Sequence, residues 1–176
     1  MKLFSHIYIV KKKYQTALII LVSIITFISI TIYSGILAAG SYPYSQSYGF
    51  YISRDSLTHT IKRFKAANIS YNPPKRVGLV DGLDENGNFY NCWIYYREQN
   101  KIVFFVVVND PENKYKSSIW LVSVNDGITL GRWHTVNDDF NRRDNKKAKT
   151  DFEDEFLKKL KLSYQDNGNG MFVFWK

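Results

Sequence analysis

The sequence predicts an α+β fold: one N-terminal transmembrane helix, then an antiparallel sheet packed with two helices. Three observations lead there. No charged residue occurs from Tyr14 to Ser53, and residues 16–39 of that gap are dominated by Ile, Leu, Val and Ala. Beyond it, short apolar and aromatic runs are separated by Asn-Gly, Asp-Pro and Asn-Asp-Gly turn signals. Two other stretches carry apolar residues at helical spacing. The order strand, helix, several strands, helix, strand argues for helices packed on a meander-like sheet.

The elements follow in chain order. Residues 1–15 form a basic cytoplasmic N-terminus and residues 16–39 the span. At 1.5 Å per residue such a segment covers about 36 Å, enough to cross the hydrocarbon core with some tilt. A cleaved signal peptide, with a cut after Gly40, is the alternative, but its apolar region is only about 7–15 residues long. Lys11, Lys12 and Lys13 precede the span and nothing basic follows until Arg54. The N-terminus is therefore expected in the cytoplasm and the rest outside. Tyr8, Tyr14, Tyr33, Tyr42 and Tyr44 sit where interfacial aromatics belong. Thr16, Ser23, Thr31, Ser34 and Ala38 share one side of the helix. That stripe suits helix packing, but Phe27 interrupts it and hydroxyls also bond back to their own backbone.

Residues 40–48 read as a tether and residues 49–176 as one extracytoplasmic domain. A short strand is expected at 49–52. A helix follows over 57–64, capped by Ser53 or Asp55, with Leu57, Ile61 and Phe64 on one face. Asn86-Gly87 marks a hairpin. Strands are expected at 89–98, 101–108 and 117–124. The second is apolar on both faces, so it belongs in the centre of the sheet. Asn125-Asp126-Gly127 turns the chain into a short strand at 128–130. From about Asp144 to Lys161 a second helix carries Ala148, Phe152, Phe156 and Leu160 at spacing four. Its acids come early and its lysines late, as the helix dipole favours. Asn167 to Gly170 breaks it, and 171–175 reads as a last strand.

Composition excludes several classes of function. The 176-residue chain has 45% hydrophobic and 23% charged residues, so most of it folds. Half of the net charge of +8 precedes the apolar run. The mild remaining excess is not the basic stripe of a nucleic-acid binder. No G-x-x-x-x-G-K or G-x-G-x-x-G nucleotide loop, G-x-S-x-G elbow or paired-histidine metal motif occurs. No cofactor, metal, nucleotide or nucleic acid is expected. Residues 84–88 resemble a calcium loop only superficially. Aligning Gly87 with that loop's glycine puts Gly82 and Trp93 where oxygen donors are needed. The single cysteine, Cys92, lies in a strand far from any histidine and reads as a buried thiol.

The densest cluster of chemistry is 123–141. His134 is a candidate general base, with Asp138 or Asp139 orienting it if 133–140 forms a helical turn. The plainer reading gives each residue a structural duty: Asp126-Gly127 turns a hairpin, Trp133 plugs the core edge, and Asn137, Asp138 and Asp139 start a turn. Trp93, Tyr95 and Trp133 are candidate binding residues, since aromatics line partner interfaces as well as sheets.

The Asn125-Asp126-Gly127 turn with Leu130-Gly131 and Trp133, the Asn137–Phe140 stretch, and the acidic-basic helix with Phe152 and Phe156 form one pattern. It resembles small uncharacterised proteins of the Bacteroidota, and residues 55–64 share the likeness. No chemistry is assigned to that family. The resemblance implies a periplasmic domain at the inner membrane of a double-membrane bacterium.

The expected function is a non-enzymatic binding domain held at the membrane by one helix, with the lipid bilayer and a protein as partners. An accessory subunit of an envelope complex and an immunity protein that neutralises a toxin both fit. The alternatives are an extracytoplasmic hydrolase using His134 with Asp138 or Asp139, and a secreted domain.

Overall fold

The structure, a computed structural model, describes residues 18–30 and 42–169. The chain divides into two compact units, residues 1–40 and 41–176. In the first, residues 18–30 are helical (α1). Thirteen helical residues rise about 20 Å, and among the described residues no helix is long and apolar enough to cross a membrane. Residues 16, 17 and 31–39 of the expected span lie outside the described residues. Within α1, Ser23, Thr26 and Ser29 donate to the carbonyls of Ile19, Val22 and Ile25, each at 2.9 Å. The hydroxyls are thus satisfied inside the helix, which is apolar on every side.

The second unit is α+β. Its strands are β1 (Gln46–Phe50), β2 (Gly82–Leu83), β3 (Tyr90–Tyr96), β4 (Lys101–Asn109), β5 (Ser117–Asn125), β6 (Trp133–Thr135) and β7 (Gln165–Asn169). All pair antiparallel, in the order β2-β3-β4-β5-β1-β7. β4 is central and largely buried on both faces, as its sequence requires. The far edge of β5 is shared. β1 pairs with its first part, Gln46 opposite Leu121, and β6 with its last, Thr135 opposite Ser123. A bulge at Val122 marks the join.

Helix α2 (Arg54–Ala67) starts at Ser53, whose side chain accepts from the Ser56 N–H. It buries Leu57 and Ile61 against the sheet. Helix α3 (Arg142–Phe152) is capped by Asn141 and runs into a π-helical turn, Glu153–Leu157, then a 3₁₀ turn, Lys158–Leu160. Spacing four drifts by about 40° per step at 3.6 residues per turn. The wider π turn offsets that drift and keeps Phe152, Phe156 and Leu160 buried together. The Phe152 ring meets those of Tyr48 and Phe105, and the Phe156 ring that of Phe105, at 4.9 to 5.8 Å between centroids. On the opposite sheet face Val106, Val108, Trp120 and Val122 form a smaller core, with Tyr42, Phe89 and Phe104 against it.

Four expectations change. The tether is shorter than expected, because strand pairing begins at Gln46 and Ser45, Gln46 and Ser47 are buried. The strand expected at 128–130 lies instead at Trp133–Thr135, since the loop before it is pinned by Asn125. The second helix starts at Arg142 and is not uniform. The break at 167–170 contains part of β7, whereas 171–175 lies outside the described residues.

Lys65, almost fully buried, donates to the Asp81 carboxylate and, at 2.8 Å, to the Trp93 carbonyl. The pair ties the loop before β2 to β3. Phe152 is fully buried among aromatic rings. Its replacement by Ala is therefore expected to lower the domain's unfolding free energy by about 3–5 kcal/mol, measured by denaturant titration.

Candidate functional site

The β5–β6 hairpin builds the region that carries His134. The Asn125 side chain is buried, donates to the Gly131 carbonyl at 2.8 Å and accepts from the Gly127 N–H at 3.0 Å. Gly127 has φ +122°, and a Cβ there would lie 2.6 Å from the Asn100 carbonyl oxygen. Only glycine lets the hairpin loop approach the β3–β4 turn this closely.

Along β6 the side chains alternate. His134 points to the helix side with Val124, its partner in register. Its Nε2 lies 3.0 Å from the Asp126 carboxylate, and its ring stacks on Phe140 at 5.3 Å. Asp139 does something else. Its carboxylate accepts from the Thr135 N–H at 2.7 Å and from Arg132 at 3.4 Å, closing the turn after β6. The Thr135 hydrogen bonds hold its carboxyl below the usual carboxylate range. Asp138 enters the same turn through its backbone N–H, 3.3 Å from the Thr135 carbonyl. The structure thus brings His134 to Asp126, not to Asp138 or Asp139. Residues 133–135 are strand and the turn begins only at Val136, so the His134 side chain does not meet Asp138 or Asp139.

A cleft of about 460 Å³ lies between this hairpin and α3, lined among others by Tyr96, Asp126, His134, Asp139, Lys147 and Asp151. Lys147 pairs with Asp151 at 2.6 Å. No serine, threonine or cysteine is among its described lining. No group of three or more His, Cys, Asp or Glu side chains is placed to hold a metal among the described residues. Its chemistry is that of a lone histidine–carboxylate pair, suited to polarising a water. Cys92 is fully buried, and burial pushes its thiol well above the ordinary value, so it is no nucleophile at neutral pH. His59 is exposed on α2. Residues 84–88 form a plain turn, in which Asp84 accepts from the Phe89 N–H at 2.9 Å.

The second constellation is aromatic and lies on the other face of the sheet. Pairing puts Trp93 opposite Phe104, which is opposite Ser123 and then Thr135. The adjacent row is Tyr95, Ile102, Asn125 and Trp133. Trp93 stacks on Phe104 at 5.1 Å and 20°, and Trp133 meets Phe104 edge-on at 6.4 Å. Tyr95 Oη donates to Asn100 Oδ1 at 3.0 Å. All four rings are half-buried. The three aromatics singled out in the sequence thus share one surface. Phe104, its centre, was hidden in the continuous run of β4 and shows only once the strand register is known.

No protein-family model matches the chain, and no curated protein or solved structure is significantly similar to it.

Two outcomes follow. His134 and Asp126 are 24% and 53% exposed, so His134→Ala is expected to cost at most about 1 kcal/mol in denaturant unfolding. Asp139 is ionised more readily when folded than unfolded. Its contribution to stability is therefore present above the ordinary carboxylate pKa and lost as pH falls through its lower folded value. In an NMR titration the Asp139 carboxyl is expected to titrate below the ordinary carboxylate range.

Proposed function

We propose that the chain is a membrane-anchored extracytoplasmic binding protein. Residues 16–39 hold it in the cytoplasmic membrane, Lys11–Lys13 stay inside, and the α+β domain stands outside with a protein partner docked on the aromatic face. The carrying observation is the partly exposed Trp93–Phe104–Trp133 cluster. Rigid aromatic rings held by strands present large apolar area at little conformational cost, which is what interface anchors do.

The anchor is supported by the charge-free run and by α1. Leu18, Ile19, Ile20, Ile24 and Ile30 are each more than half exposed, with the hydroxyls between them bonded to their own helix. Such a surface is covered by lipid or by other apolar helices. A periplasmic location in a double-membrane bacterium belongs to the same reading, through the likeness to small Bacteroidota proteins. An accessory subunit of an envelope complex and a toxin-neutralising immunity protein are both protein-docking roles that this surface serves.

A hydrolase is the second reading. The observation in its favour is the His134–Asp126 contact in a cleft, with Asp126 in the place first given to Asp138 or Asp139.

The anchor reading expects the mature chain to keep residues 1–40 and to resist alkaline extraction from membranes. An N-terminus at Ser41, found by mass spectrometry, sinks it. For docking, proteins cross-linked to the chain in solubilised membranes are compared between variants. Trp93→Ser with Trp133→Ser is expected to weaken the cross-linked complex by about 2 kcal/mol or more. His134→Ala is expected to leave it intact. Function lost in His134→Ala at unchanged thermal stability favours the hydrolase.

A further inference from the structure

Helix α3 has three distinct faces. One turns to the place where the chain enters the domain. Asn145 accepts from the Asn137 N–H and donates to Asn137 Oδ1, both at 2.8 Å. Lys149 Nζ lies 3.3 Å from Gln46 Oε1 and 3.2 Å from Asn137 Oδ1. Asn137 in turn donates to the Tyr44 carbonyl at 2.8 Å. The N-terminal half of α3 is thus tied to residues 44–46. A second face, with Asp144, Lys147 and Asp151, lines the His134 cleft. The third is made of Arg142, Arg143, Lys146 and Thr150, all exposed.

At about 100° per residue these four fall within a sector about 100° wide. It holds three bases and no acid. The neighbouring lysines are paired, Lys147 with Asp151, Lys158 with Asp154 and Lys159 with Glu155. Arg142, Arg143 and Lys146 have no such partner among the described residues. Two arginines in the first turn also oppose the helix dipole, which favours acids there. Neither packing nor helix stability accounts for them.

We propose that this basic sector rests on the acidic phospholipid headgroups of the membrane that holds residues 16–39. The proposal builds on the anchor reading above. Four residues lie between Ala39 and Tyr44, and a fully extended chain covers at most about 18 Å over those five steps. Tyr44 is bonded through Asn137 to α3, so only a short stretch of chain separates the bases from the segment proposed to enter the bilayer, and attraction to anionic lipid is felt within about a Debye length. The charge is complementary and the helix is held by hydrogen bonds rather than free. The other end of the domain is a built-in control. Lys114 lies in the β4–β5 loop, beside the Phe50 end of β1, whereas the chain enters at the Gln46 end.

The test uses the full chain in phosphatidylcholine vesicles, with and without phosphatidylglycerol. A water-soluble amine reagent labels the lysines, and mass spectrometry reads the rates at Lys146 and Lys114. Phosphatidylglycerol is expected to slow Lys146 several-fold and leave Lys114 unchanged, with salt restoring the rate. Arg142→Gln with Arg143→Gln is expected to return Lys146 most of the way to its phosphatidylcholine rate. Equal Lys146 rates in both lipids, in a chain that floats with both, overturn the basic sector and keep the anchor. A chain that floats only with phosphatidylglycerol, and is released by salt, overturns the anchor and keeps the sector. A chain that floats with neither overturns both.

Discussion

The domain is organised by one constraint: a single edge of β5 serves two strands. β6 takes Ser123–Asn125 and β1 takes Ser117–Leu121, end to end. The chain leaving β6 therefore runs straight at the first residue of β1 and has to turn at once. It does so between Thr135 and Asp139, with Asn137 in the left-handed region at φ 64°. Asparagine tolerates that conformation better than most residues. The Val136 N–H still reaches the Val122 carbonyl at 2.9 Å, so the bulge costs little pairing. Most of the polar side chains at the join bond to one another. Gln46, Asn137, Asn145, Lys149 and Asp166 form a continuous network there. Buried polar groups are tolerable only in such a network.

From this join come both candidate surfaces. A three-residue β6 sends Trp133 to one face and His134 to the other. The first completes the ring cluster on Phe104. The second closes the cleft under α3, which the network at the join holds in place. A change at Asn137 would thus disturb both surfaces and the start of β1 together, without touching the main core of Phe105, Phe152 and Phe156.

The sequence made the centre of this domain legible and its seams illegible. β4 is apolar on both faces, and the caps and Gly turns around α2 and β3 follow ordinary local rules, so these elements lie close to where the pattern puts them. β1 begins early although Ser45, Gln46 and Ser47 are polar, because all three are buried and the Gln46 side chain is held by Asp166 far along the chain. Hydropathy carries no trace of such distant partners. The 128–130 strand failed because Asn125 pins the loop, which moves pairing to Trp133. His134 found Asp126 rather than Asp138 or Asp139 because a hairpin joins residues eight apart that a helical turn would keep separate. Spacing in sequence predicts contact only after the local period is right.

What weighs binding above catalysis is how completely the carboxylates of the cleft are already engaged. Asp126 meets His134, Asp139 takes Thr135 and Arg132, Asp144 takes Asn141, and Asp151 takes Lys147. The carboxylate beside the imidazole is itself half exposed, so water screens the pair and weakens its hold on the ring. A general base gains most where solvent is excluded and its partner is fixed. The aromatic face shows the reverse imbalance. Trp93, Phe104 and Trp133 satisfy one another in part and leave apolar area in water, at about 25 cal/mol for each Å² left uncovered. Polar groups already paired gain little from a ligand, whereas uncovered rings gain from any surface that fits. The unspent free energy of this domain therefore lies on the sheet, and that imbalance is what supports the proposed docking role over the hydrolase.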